Sequence, residues 1–374
     1  MNTSFASCAL RRATTIVASC AVTACLAGAT GQGSAASSEP PTSSKVTAPA
    51  WRVSTLEHVD LWLHGFAMLT SDTGHVPFFA RGYKAKVTAE KRQKNVYTLL
   101  DANQKDLSAR FASNPGLTNA QFLAMYFESF QDIVNATDLF IRSNGNPRAA
   151  SDPRIQQSIA LLASNFRTPD DRNWLRLFVQ SLQDENAKFF HSYWAAEQAR
   201  RGAGFAAFQE QWLSKYYPKL SRFLNNTQQA SGQVVLSITL GGEGRTVNDG
   251  KQSNLIAVEL PPTVDAAPEA LFGFVHEAVA TLAQEAINDN TTAAQQRSGE
   301  VGGYTGNAAV RGGAALLKKI APELVPDYMR FYLRTLNGNV PSGDPTAAFT
   351  SAFSLPQTIL DAMTKQIDIV LGGI

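Results

Sequence analysis

The chain has 374 residues, of which 44% are hydrophobic and 17% are charged, so it can bury a large core in one or two domains. Its formal net charge is +2, and Arg11 and Arg12 supply both charges, which leaves the rest of the chain formally neutral. This balance argues against nucleic acid as a partner, because nucleic-acid-binding proteins depend on dense positive charge.

All three cysteines, Cys8, Cys20 and Cys25, lie within the first 25 residues. The rest of the chain therefore has neither disulfides nor thiolate zinc ligands. The same N-terminal segment has the parts of an export signal: two arginines, an apolar run over residues 13–26, and small residues after it. Beyond residue 25, no stretch approaches the roughly 20 apolar residues that a membrane-spanning helix needs.

Residues 22–25, Val-Thr-Ala-Cys, resemble the lipobox of bacterial lipoproteins, in which the cysteine is acylated and becomes the new N-terminus. The resemblance implies a signal peptide over residues 1–25, lipidation of Cys25 and a protein held in the bacterial envelope through its lipid anchor only. Three alternatives stay open. Cys20 follows a similar run, ordinary cleavage near Ala29 would give a periplasmic or secreted protein, and an uncleaved segment would remain as an anchor.

Residues 26–50 are dominated by Ser, Thr, Ala, Gly and Pro, a composition that cannot bury enough surface to fold. We expect a flexible tether here, followed by a single α-rich domain over residues 51–374. The first part of that domain, residues 51–231, has helical periodicity. Helices are predicted at 55–70, 88–112, 118–143, 152–165, 169–200 and 203–228.

The pattern changes over residues 232–374. Two β-branched segments, 233–240 and 254–260, predict strands, and residues 241–250 predict a long hairpin loop between them, with Arg245 at a substrate edge as the alternative. The loop matches neither a dinucleotide fingerprint nor a phosphate loop. The predicted fold is therefore α+β and predominantly helical, with a small sheet. Later helices are predicted at 268–287, 300–320, 322–336 and 356–371.

His276 and Glu277 lie in the apolar helix that follows the second predicted strand. In zinc peptidases with an HExxH motif, a second histidine lies four residues after the first, and the glutamate is the general base. Here Ala280 occupies that position. A buried His and Glu must be satisfied by a metal or by hydrogen bonds. The residues alone favour a core histidine bonded to a backbone carbonyl, with Glu277 in an ion pair.

Residues 233–335 resemble the gluzincin group of zinc metallopeptidases, in which a strand, the His-Glu helix and a further helix build the metal site. The resemblance implies that His276 is a zinc ligand, that Glu277 is the general base and that Glu300 is the downstream glutamate ligand. Because Ala280 cannot bind metal, we expect a degenerate relative with weak or no peptidase activity that binds a peptide or an envelope protein. An active zinc-dependent hydrolase and a purely structural envelope protein are the alternatives.

Two further features carry ionisable groups. Asp60 and His64, four residues apart on the first predicted helix, are interpreted as a structural pair, with a proton relay or borrowed metal ligands as alternatives. Arg311 is followed by Gly312 and Gly313 inside a predicted helix, which indicates close helix packing or a bound anion at Arg311. Packing is the favoured interpretation.

Overall fold

The computed structural model describes residues 50–70, 76–248, 253–336 and 340–372. The predicted signal peptide, Cys25 and most of the predicted tether lie outside these described residues. The fold is α+β and predominantly helical, with one small mixed sheet, which confirms the predicted fold class.

The sheet has four strands in the spatial order β1-β2-β4-β3. The three strands β1, β2 and β4 run parallel, and β3 pairs antiparallel with β4 at the edge. The predicted hairpin across residues 241–250 is therefore wrong. After β2 the chain crosses to the far edge of the sheet and forms β3 there. It then returns as β4, which pairs with β2 on one side and with β3 on the other. The strands are β1 (Trp51–Ser54), β2 (Gly232–Ser237), β3 (Arg245–Asn248) and β4 (Asn254–Glu259).

The remaining elements are helices. The described residues contain α1 (Glu57–Leu69), α2 (Tyr83–Gln93), α3 (Leu99–Ser113), α4 (Phe130–Arg142), α5 (Pro153–Asn165), α6 (Pro169–Glu185), α7 (His191–Gln211), α8 (Tyr217–Asn226), α9 (Ala267–Asp289), α10 (Ala293–Ser298), α11 (Tyr304–Ile320), α12 (Val325–Thr335), α13 (Thr346–Ala352) and α14 (Gln357–Val370).

Two long predicted helices are each broken in the structure. The predicted helix 88–112 is divided into α2 and α3 at Asn95, whose φ of 53° is left-handed, and α3 restarts at a capping box. The predicted helix 118–143 consists of a 3₁₀ segment, Pro115–Tyr126, followed by α4. Ser129 starts α4 by accepting a hydrogen bond from the backbone of Asp132, and this cap is visible in the sequence.

The opposite error occurs at the predicted break between residues 200 and 203. Helices α6, α7 and α8 form one unbroken helical run from residue 169 to 226, joined by π-helical turns at Asn186–Phe190 and Trp212–Tyr216. Gly202 lies inside this run and does not interrupt it. A π turn inserts one residue without ending the helix, so neither π turn produces a helix-stop signal in the sequence.

One hydrophobic core includes residues of the sheet, the long helical run and the later helices. Trp51 of β1, Trp212 of the second π turn and Phe274 of α9 meet edge-on, with ring centroids 4.6 to 6.4 Å apart. This aromatic cluster joins the first strand to elements that are far away in sequence. No helix within the described residues is both long and apolar enough to cross a bilayer.

Two glycines of α7 provide a matched test of this packing. A Cβ on Gly204 would lie 2.5 Å from the carbonyl oxygen of Pro261, whereas nothing lies within 4 Å of a Cβ on Gly202. We expect Gly204→Ala to lower the free energy of unfolding by about 1–3 kcal/mol because backbone must move. Gly202→Ala should raise it by about 0.5–1 kcal/mol. Urea denaturation measures both, and equal effects would contradict the close approach of α7 to the end of β4.

Candidate functional site

Helix α9 carries His276 and Glu277 next to the sheet. It begins after β4 with Pro268 in its first turn, a position where a missing N–H costs nothing. Gly273 lies against the side chain of Val258, which brings the helix close to β4. Both ionisable side chains are buried, His276 to 5% exposure and Glu277 to 8%. Buried polar groups of this kind need hydrogen-bond partners, and both have them.

His276 and Glu277 are hydrogen-bond partners of each other. His276 Nδ1 and Glu277 Oε1 lie 3.0 Å apart in a hydrogen bond. The imidazole also stacks on the ring of Tyr332 of α12, with centroids 5.9 Å apart. The Tyr332 hydroxyl lies 3.3 Å from the carbonyl oxygen of Phe272 and 3.4 Å from that of Gly242. The backbone-bonded histidine interpreted from the sequence is therefore replaced by a histidine that bonds its neighbouring glutamate.

The second oxygen of Glu277 is bonded to the edge strand. Thr246 of β3 donates its hydroxyl to Glu277 Oε2 at 3.1 Å. Gly244, just before β3, makes this approach possible: a Cβ there would lie 2.9 Å from Glu277 Cγ and 2.5 Å from the carbonyl oxygen of Ala257. Glu277 thus connects α9 to β3, and a glycine is required where the two elements meet.

Arg245 of β3 flanks this contact. Its guanidinium lies over the rings of Phe78 and Phe122, which contact each other edge-on, 4.4 and 4.7 Å from their centroids, and Nη1 donates to Glu243 Oε1 at 2.8 Å. Burial lowers the pKa of Arg245, but the negative charges of Glu243 and Glu277 outweigh it and leave the pKa raised. The cation is fixed in place beside the two carboxylates, where it offsets part of their charge.

The donor set does not fit a catalytic zinc. Such an ion takes three protein ligands and keeps a position open for water. Ala280 supplies no ligand, and His276 Nδ1 is bonded to Glu277. Among the described side chains, no group of three or more His, Cys, Asp or Glu residues could hold a metal ion. Zinc binding by His276 is thus not supported by its described neighbours and stays a prediction from the sequence.

The side chain of Glu300 lies outside the described residues, but its backbone begins the 3₁₀ turn Glu300–Gly303 before α11. Helix α11 packs along α9, and a Cβ on Gly312 would lie 3.3 Å from Val279. From Gly312 back to the start of α11, the helix rises about 12 Å. A ligand role for Glu300 stays a prediction.

Asp60 and His64 lie on α1, both buried, and enter two separate networks. Asp60 accepts hydrogen bonds from the hydroxyl of Ser237, the backbone of Ile238 at 3.1 Å and the indole of Trp194 at 2.8 Å. Burial raises the pKa of Asp60 to about 7, and the bonds from Ser237 and Trp194 oppose the rise. Because no hydrogen bond among the described residues joins Asp60 to His64, the predicted pair is wrong. Each residue instead fixes α1 to a different neighbour.

His64 belongs to a buried ionic network that sequence reasoning missed. Its imidazole bonds the hydroxyl of Tyr83 at 2.9 Å and Glu185 Oε1 at 3.2 Å, and Lys91 donates to Glu185 Oε2 at 2.8 Å. Burial raises the pKa of Glu185, but the bonds and charges of His64 and Lys91 outweigh it and lower the pKa to about 2. Glu185 directly precedes the first π turn, Asn186–Phe190, and is fully buried. The network stabilises the interior of the fold, because none of these four side chains reaches solvent appreciably.

Comparisons with known proteins add no relative. No protein-family model matches this chain, and neither does any curated protein or solved structure. The gluzincin resemblance therefore rests on His276, Glu277 and the order of the elements around them, and it stays a prediction.

Proposed function

We propose that this chain is an exported, lipid-anchored envelope protein with a zincin-like domain that has weak or no peptidase activity and binds a peptide or an envelope protein. One observation carries the loss of activity: both carboxylate oxygens of Glu277 are engaged, Oε1 with His276 and Oε2 with Thr246. A general base must reach the proton that it removes. A carboxylate bonded on both sides inside a closed contact is poorly placed for that role.

The same contacts suggest what Glu277 does instead. It fastens the edge strand β3 to α9, with Gly244 giving room and Arg245 supplying a compensating charge nearby. A hydrogen bond to a charged group contributes about 1.5–3 kcal/mol to stability, so this contact is large enough to hold a four-residue strand. The pair His276–Glu277 is then a structural remnant of a hydrolase-like arrangement.

The location in the envelope is supported by the sequence alone. Residues 22–25 resemble a lipobox, and the Ser-, Thr- and Pro-rich segment after Cys25 would separate the lipid from the folded domain. A flexible chain of about 25 residues has an end-to-end distance of roughly 25–30 Å. A domain on such a tether would stay near the membrane and could still reach partners in the envelope.

Zinc content separates the proposed binding protein from an active hydrolase. Purified, untagged protein should contain less than one equivalent of zinc and should not cleave casein in a chelator-sensitive way. Ala280→His should raise the zinc content, because it restores the second histidine one helical turn after His276. Thr281→His, at an exposed position on the same helix, is the matched control and should not. Stoichiometric zinc with chelator-sensitive cleavage in the wild type would overturn the proposal. Equal zinc content in the two variants would indicate that the resemblance of the His276 helix to zincins is a coincidence.

Lipidation is tested separately in a bacterial host that processes lipoproteins. Metabolic labelling with a palmitate analogue should mark the wild-type protein and leave Cys25→Ala unlabelled, because the acyl chains are attached at that cysteine. Cys20→Ala is the control and should be labelled like the wild type. Labelling that survives in Cys25→Ala but not in Cys20→Ala would move the anchor to Cys20, and no label in any form would indicate ordinary secretion.

A further inference from the structure

Arg311 of α11 is a half-buried cation whose charge has no partner. Its guanidinium lies over the ring of Phe349 of α13, 5.8 Å from the centroid. It makes no hydrogen bond and no ion pair with any described residue. Burial alone lowers the pKa of Arg311, and no nearby carboxylate counters the effect. A desolvated charge without a partner is unfavourable, so the arrangement calls for a compensating anion.

Most other buried and half-buried cations among the described residues are compensated. Lys91 is bonded to Glu185, Arg201 to Glu197 and Arg110 to Asp171. Among the described residues, Lys84 is the one other half-buried cation without a hydrogen bond or ion pair. Lys84 differs from Arg311 in that its ammonium group does not lie over the aromatic ring of any described residue. Arg311 is therefore the one half-buried cation among the described residues that lies over an aromatic ring and lacks an acidic partner.

The two glycines after Arg311 explain why the helix cannot shift to relieve this charge. A Cβ on Gly312 would lie 2.8 Å from the sulfur of Met363, and one on Gly313 would collide with the hydroxyl of Tyr328. These contacts press α11 against α14 and α12, as the packing interpretation of the sequence predicts. Packing accounts for both glycines, but it leaves the guanidinium of Arg311 unexplained.

The surroundings of Arg311 are held in place as well. Asn307, one turn earlier on α11, donates its amide to the backbone oxygen of Ser354 at 3.0 Å, which ties α11 to the segment after α13. Phe349 is buried, so the ring under the guanidinium cannot swing away. A guanidinium presents its N–H groups in one plane as a rigid fork, which is the geometry that binds an oxyanion through two parallel bonds.

We propose that Arg311 is a binding site for an oxyanion, namely a carboxylate or phosphate group of a ligand. The guanidinium lies over the ring of Phe349, 5.8 Å from its centroid, and the ligand's oxygens accept hydrogen bonds from the guanidinium N–H groups. The site is independent of zinc and of the lipid anchor. It lies on α11, whereas the His276–Glu277 contact joins α9 to β3, so failure of either proposal leaves the other intact.

Thermal unfolding at pH 7 tests the site with two probes, sodium phosphate and sodium succinate, at an ionic strength held constant with sodium chloride. We expect a saturable rise of about 2–5 °C in Tm with at least one oxyanion, because a ligand that binds only the folded state stabilises it. Arg311→Gln should abolish the rise. Lys84→Gln, which removes one half-buried charge elsewhere, should keep it. A response to phosphate alone would identify a phosphate group as the ligand, and a response to succinate alone a carboxylate.

A third variant keeps the test decisive if Arg311→Gln does not fold. Arg311→Lys retains the charge and loses the planar fork, so its apparent affinity for the oxyanion should fall at least 5-fold. The proposal is overturned if neither anion raises Tm of the wild type saturably. It is also overturned if Arg311→Gln responds like the wild type, or if Arg311→Lys keeps the full affinity.

Discussion

The contact between Glu277 of α9 and Thr246 of β3 is the interaction on which the account of this protein depends. A carboxylate with 8% exposure must be bonded on both oxygens or pay a large desolvation penalty. Here the two bonds come from different directions, one from His276 on the same helix and one from the edge strand. Both carboxylate oxygens of Glu277 thereby have hydrogen-bond partners without a metal. The bond from Thr246 also holds β3 to α9, in addition to the pairing of its four residues with β4.

Several neighbouring features follow from that contact. Gly244 has to be glycine because the chain passes between Glu277 and the backbone of Ala257. Arg245 packs on two phenyl rings, which places a positive charge beside two carboxylates in a partly dehydrated setting. Tyr332 covers the imidazole of His276 from α12. The result is a closed polar cluster inside an apolar region, stabilised by mutual bonds.

The sequence predicts the parts of this architecture that carry long, regular patterns. The helical class, α9, β2 and β4 follow from periodicity and β-branched runs, and His276 and Glu277 are identified by their spacing. Strands β1 and β3 have four residues each, too few for a periodic signal, and β1 pairs with residues 181 positions later in the chain. Strands β2 and β4 pair in parallel because the chain between them forms β3 at the edge of the sheet. No local sequence pattern predicts that order of strands.

The site partners were missed for a similar reason. Thr246 and Tyr332 reach the His-Glu pair only through tertiary structure, and Lys91 meets Glu185 across 94 residues of sequence. Asp60 and His64 are spaced as a helical pair, yet stronger donors and acceptors lie on other elements. A spacing rule shows which side chains share a helix face. It cannot show which of them finds a better partner elsewhere.

A double-mutant cycle between Glu277 and Thr246 tests the central claim most directly. Urea unfolding of the wild type, Glu277→Leu, Thr246→Val and the double variant gives the coupling free energy of the two side chains. A stabilising coupling of about 1–2 kcal/mol is expected if Glu277 fastens β3 to α9. Purely additive effects, with Glu277→Leu as stable as the wild type, would contradict the account.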